Sequence, residues 1–76
     1  MNEPTMFTVR PHRGGWQCVE GPGVAPYFTE AEGRRQAIDY AKGRTAHRHG
    51  EIRVFNAADE LEDIIAFDER SNRMKV

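Results

Sequence analysis

The chain has 76 residues, 38% of them hydrophobic, with 11 Lys and Arg against 12 Asp and Glu and a formal net charge of −1. That size suits one domain, burying only about 60% of the surface its unfolded form exposes, and the single cysteine, Cys18, excludes an internal disulfide. No apolar run nears the ~20 residues that span a bilayer, and the start MNEPTMFTVRPH has no basic or apolar leader pattern, so a cytoplasmic protein without a membrane segment is expected.

Residues 1–5 read as a disordered N-terminus, 6–69 as a single α+β domain and 70–76 as a flexible polar tail. From Met6 to His12 the residues alternate, with Phe7 and Val9 on one face and Thr8, Arg10 and His12 on the other, which is the period of a strand with one buried face. Pro11 implies a strand end or an edge. Arg13-Gly14-Gly15 reads as a tight turn, and Trp16 to Glu20 resumes the alternation with Trp16 and Cys18 on one side, completing a hairpin. The segment GPGVAP, residues 21–26, is a turn-rich loop. Tyr27-Phe28 fits either a very short strand or, as the preferred reading, a cover over the start of the helix.

The stretch from Thr29 to Gly50 is the one segment long enough to be a helix. Thr29 and Glu32 match a capping box, Glu30 and Glu32 occupy a first turn, and Lys42, Arg44 and Arg48 fall in the last turns before a closing Gly50. Ile38, Ala41 and Thr45 recur at helical spacing with Ala37 beside them, a narrow stripe that lets a helix approach a sheet closely. Gly33 and Gly43 each cost ~1 kcal/mol against alanine, so a start after Gly33 is the alternative. Glu51 to Phe55 and Leu61 to Phe67 are two apolar-rich runs joined by a five-residue loop, with Ile52, Val54, Leu61, Ile65 and Phe67 inward. The expected fold is α+β, a small antiparallel sheet of about four strands in the order β-β-α-β-β, packed against one helix, with Trp16, Ile38, Ile52 and Phe67 sharing one core.

The series Val9-x-Pro11, Gly14-Gly15-Trp16, Phe28-Thr29, Ala37-Ile38, Ala41 and Gly50-Glu51-Ile52 resembles the small bacterial family called domain of unknown function 2188. Its members run V-x-P-x-x-G-G-W, F-x-T, A-I-x-x-A and G-E-L-x-V into a closing hairpin, and the likeness extends over nearly all of Phe7 to Phe67. This chain departs from that pattern by an insertion between Phe28 and Ile38 and by a closing turn that reads Ala58-Asp59-Glu60 in place of Asp-Gly. Its last strand is acidic where the family's is rich in arginine. The resemblance implies a fold and no activity.

Residues that carry chemistry elsewhere read as structural here. His47-x-His49 lies among arginines that would repel a cation, and with His12 it forms no ligand spacing. Cys18 sits mid-strand as a small core residue, without a Cys-His-Asn pattern around it. Glu62 and Asp63 fall on opposite faces of a strand, and Glu60, Asp68 and Glu69 add a solvated acidic surface. Gly14-Gly15 joins two strands and opens no helix, so it is a turn and not a phosphate loop. Trp16 points inward as core. No cofactor, metal or enzymatic activity is expected.

Charge is the remaining signal. From Gly33 to Gly50 five bases face Asp39 for a net +4, and from Glu51 to Glu69 Arg53 faces seven acids for a net −6. The leading expectation is a non-catalytic protein-interaction module, bound to an unknown protein or to itself, with Ile64 and Ala66 on an outward sheet surface or edge. The alternative is a weak nucleic-acid-binding domain using the basic helix and the first hairpin through Arg10, Arg13, Arg34, Arg35, Lys42 and Arg44, with Arg70, Arg73 and Lys75 of the tail adding to it. If the acids meet those arginines, phosphate binding is weakened.

Overall fold

The computed structural model describes residues 4–20 and 25–68. Its elements are β1 (Thr5–His12), β2 (Gly15–Val19), β3 (Tyr27–Phe28), α1 (Gly33–Lys42), β4 (Gly50–Phe55) and β5 (Leu61–Phe67). They form one five-stranded sheet in the order β3-β2-β1-β4-β5 with the helix on one side, an α+β fold.

Two tight hairpins, the antiparallel return of β3 along β2 and one crossover account for this order. In the first hairpin Arg13 (φ 49°) and Gly14 (φ 81°) make a two-residue turn of left-handed residues that matches the twist of β1 and β2, and His12 pairs with Gly15. The second hairpin turns on Asn56, whose side-chain oxygen accepts from the N–H groups of Ala58 at 2.9 Å and Glu60 at 3.0 Å. Between them α1 runs back over the sheet and delivers β4 beside β1 in parallel, Phe7 opposite Ile52 and Val9 opposite Val54. A connection containing a helix permits that parallel pairing, whereas a tight turn does not.

The sheet is therefore mixed where an antiparallel one was expected, and it has five strands where four were expected. Tyr27-Phe28 is a strand paired with Gln17 and Trp16, not merely a cover. Thr5 belongs to β1 rather than to a disordered N-terminus, its N–H donating to the His49 carbonyl at 2.8 Å. Residues 1–3, 21–24 and 69–76, which include the expected polar tail and most of the GPGVAP loop, lie outside the described residues.

The helix is shorter than Thr29 to Gly50 and begins at Gly33 itself, close to the alternative start after Gly33 but including that glycine. Glu32 is its N-cap and makes no side-chain cap bond, so the capping box of Thr29 and Glu32 does not form, and the helix's first turn holds no acid. Gly43 ends the helix, with Thr45 Oγ1 donating to the Lys42 carbonyl at 2.9 Å. Arg44 and Arg48 lie beyond it.

Phe7, Val9, Cys18, Ala37, Ala41, Ile52, Val54, Ile65 and Phe67 form the buried core, with Trp16, Phe28, Ile38 and Tyr40 packed against it. Each fully buried Val, Ile or Phe contributes about 1.5–3 kcal/mol. Gly33, Ala37 and Ala41 are the buried helix residues. Their small size permits close approach, and a Cβ added to Gly33 would lie 2.8 Å from the Phe28 carbonyl oxygen. Leu61, expected inward, is 50% exposed. A bulge sets Val54 opposite Asp63 and Phe55 opposite Leu61, leaving Glu62 as an extra residue, and this turns Leu61 to the outer face.

Candidate interaction surface

Strand alternation divides the sheet into a face under the helix and a face turned away from it. The strand registers place the outward residues in rows that cross the sheet. One row runs Ala66, Glu51, Met6, the next Ile64, Arg53, Thr8, Val19, and a third Leu61, Phe55, then Arg10, Gln17, Tyr27. His12 and Gly15 follow at the turn end. Among the described residues the four large hydrophobic ones that are exposed, Met6, Tyr27, Leu61 and Ile64, are all on this face. A scatter of single exposed apolar side chains is ordinary on a small protein; here they share one face, which makes it the candidate surface.

Local packing fixes the aromatic groups there. Gly15 is buried on the outward side because the Tyr27 ring lies across it, and a Cβ added to Gly15 would meet Tyr27 Cε1 at 3.0 Å and the Phe28 carbonyl oxygen at 2.7 Å. The Tyr27 hydroxyl donates to the Arg13 carbonyl at 2.6 Å, and its ring meets His12 edge-on with centroids 5.6 Å apart. Arg10 lies over the Phe55 ring, 6.0 Å from its centroid, while pairing with Asp59 at 3.1 Å. Arg53 pairs with Glu51 at 2.6 Å. The charges of this face are thus two arginines and two acids in exposed pairs.

The six basic residues expected to hold phosphate do not form one surface. Arg10 is on the outward face and Arg13 on the first hairpin turn, whereas Arg34, Arg35 and Lys42 are on the helix and Arg44 follows it. Arg34 pairs with Glu62, donates from Nε to the Phe55 carbonyl at 3.3 Å and stacks over Trp16. Arg35 pairs with Glu32 and Asp39 on its own side of the helix. Arg44 and Arg48 converge on Glu20, at 2.9 and 2.7 Å. The Arg48 hydrogen bond, joined by that of Arg44, holds the Glu20 carboxyl below its usual range despite partial burial. Among the described residues, Arg13 and Lys42 make no ion pair with another described residue.

Burial, with the nearby Glu20 charge, pushes the Cys18 thiol up to about 11, so at neutral pH it is a protonated core group. No three His, Cys, Asp or Glu among the described residues cluster to hold a metal. A notch of about 400 Å³ lies between the two hairpin turns, lined by Pro11 to Trp16 with Ala57 and Asp59. No helix among the described residues is long and apolar enough to cross a membrane.

Of the outward residues, Thr8, Arg10 and His12 were legible from alternation in the first strand, and Ile64 and Ala66 from alternation in the last. Met6, Tyr27, Phe55 and Leu61 were missed as surface groups. Met6 carried a signal, since it has the parity of Thr8 and Arg10, while Tyr27 and Leu61 depended on a two-residue strand and a bulge. No family model, curated protein or solved structure matches the chain.

Proposed function

We propose that the protein is a small, non-catalytic interaction module that docks a protein partner on the outward face of its sheet. The observation that carries this reading is the placement of Met6, Tyr27, Leu61 and Ile64, all 38–50% exposed, on one face. Partner side chains that cover this face remove apolar surface from water at about 25 cal/mol per Å², and the exposed Arg10–Asp59 and Arg53–Glu51 pairs supply polar contacts among the apolar groups. The edge strand β5 is less suited to pairing. Its bulge interrupts the ladder, and the Asp63 carboxylate already accepts from the Ile64 N–H at 2.8 Å.

Nucleic-acid binding through the helix is the weaker reading, because Arg34, Arg35 and Arg44 are each engaged by a carboxylate and the local positive potential falls accordingly. The proposed module also fits the resemblance to domain of unknown function 2188, which implies no activity. The test is capture of a partner by the wild type and by two variants. Ile64→Asp should abolish capture while Arg35→Glu leaves it intact; loss with Arg35→Glu alone would move the site to the helix and contradict the reading.

A further inference from the structure

We propose that a second copy of this chain occupies the outward face, the two copies stacking face to face about a two-fold axis. The inference rests on that face being the docking surface and adds the identity of the partner. It is carried by charge complementarity. Glu51 and Arg53 are successive outward residues of β4, flanked by Met6 and Thr8 on β1 and by Ala66 and Ile64 on β5. A two-fold axis in the interface plane, running across the strands midway between these two rows, inverts strand direction. It brings each row over the other. Glu51 of one copy then meets Arg53 of the second and Arg53 meets Glu51, while Ala66 lies over Ile64 and Met6 over Thr8. Every contact occurs twice, as a closed two-fold interface requires.

The face suits a copy of itself better than a polyanion. Its arginines Arg10 and Arg53 are balanced by Asp59 and Glu51, so two copies meet without net repulsion and no phosphate footprint is left. Only the two rows beside the axis overlap, on β5, β4 and β1, an area of about 14 Å by 14 Å or ~200 Å² per copy. The resulting total of about 400 Å² is far below the ~1,200 Å² of standard stable interfaces, so the dimer is weak and forms only at high concentration.

Light scattering on a sizing column, run over a wide range of loading concentrations, tests this. Wild type should rise from the mass of one chain toward two. Glu51→Arg and Arg53→Glu should each remain monomeric, association weakening about tenfold or more, because each sets like charges across the axis. An equimolar mixture of the two variants should restore the dimer, since opposite charges then meet at both positions. Circular dichroism confirms that both variants fold, their shared intrachain pair being exposed. A wild type that stays monomeric at every concentration, single variants that dimerise like wild type, or a mixture that stays monomeric would overturn the proposal. A monomeric wild type whose capture of a different protein is blocked by Ile64→Asp would overturn it and leave the docking face standing.

Discussion

Gly50 is where the parallel pairing of β1 with β4 depends most on one residue. It has φ +152°, and a Cβ there would lie 1.8 Å from the Thr5 carbonyl oxygen and 2.7 Å from the Thr5 nitrogen. In Gly50→Ala the new methyl group cannot be moved aside by a rotamer, because what it meets is backbone. The unfavourable φ costs ~1–3 kcal/mol. Displacing Thr5 also breaks its N–H bond to the His49 carbonyl, costing about 1 kcal/mol more. Peeling one terminal residue of β1 limits the damage, since Phe7 and Val9 keep their places opposite Ile52 and Val54. The expected total is about 3 kcal/mol, set against roughly 4–11 kcal/mol for a chain of this size. A midpoint fall of about 15 °C follows at 4–8 °C per kcal/mol, read by circular dichroism, with faster hydrogen exchange at the Thr5 and Met6 amides. An unchanged melting temperature would refute the close approach of Gly50 to β1.

Gly33→Ala gains up to ~1 kcal/mol of helix propensity but overpacks against the Phe28 carbonyl oxygen at a cost of about 1–3 kcal/mol; a lowered urea midpoint is expected, and a raised one would show that the helix is free to move. Glu20 has a folded-state pKa lowered from 4.5, so its contribution is present above that value and is lost as pH falls through the folded-state value. Glu20→Gln should lower stability at neutral pH by about 1 kcal/mol, because its arginine partners are partly exposed, and should flatten the acid limb of a stability–pH curve; an unaltered acid limb would count against the pairing. Cys18, protonated and buried, should resist iodoacetamide at neutral pH in the folded protein and react once urea unfolds it, whereas rapid labelling of the native state would place it at the surface.

What could be read from the sequence follows physical range. Phe7/Val9, Trp16/Cys18, Ile52/Val54 and Ile65/Phe67 alternate with the period of the strand, and seven of these eight residues are buried, with Trp16 packed against the core. Ala37 and Ala41 likewise gave the buried helix face. The parallel contact of β1 with β4 has no local signature, because it is made by residues some forty-five positions apart. Tyr27-Phe28 is too short to show a period and is a strand only because β2 offers a free edge. Arg44 and Arg48 satisfied the charge rule for a helix end, yet the helix stops at Gly43 and both side chains turn to Glu20. The charge asymmetry itself was legible, but the partners were not: Arg34 pairs with Glu62 of β5, whereas Arg35 and Arg44 find acids on and before the helix.

The claim that the outward sheet face is the docking surface is tested most directly by backbone amide chemical-shift mapping with the captured partner or on concentrating the protein alone. Shifts should gather at Met6, Arg53, Ile64 and Ala66 and leave Arg35, Asp39 and Lys42 of the helix unmoved. Shifts confined to those helix residues, with the sheet face silent, would contradict the account.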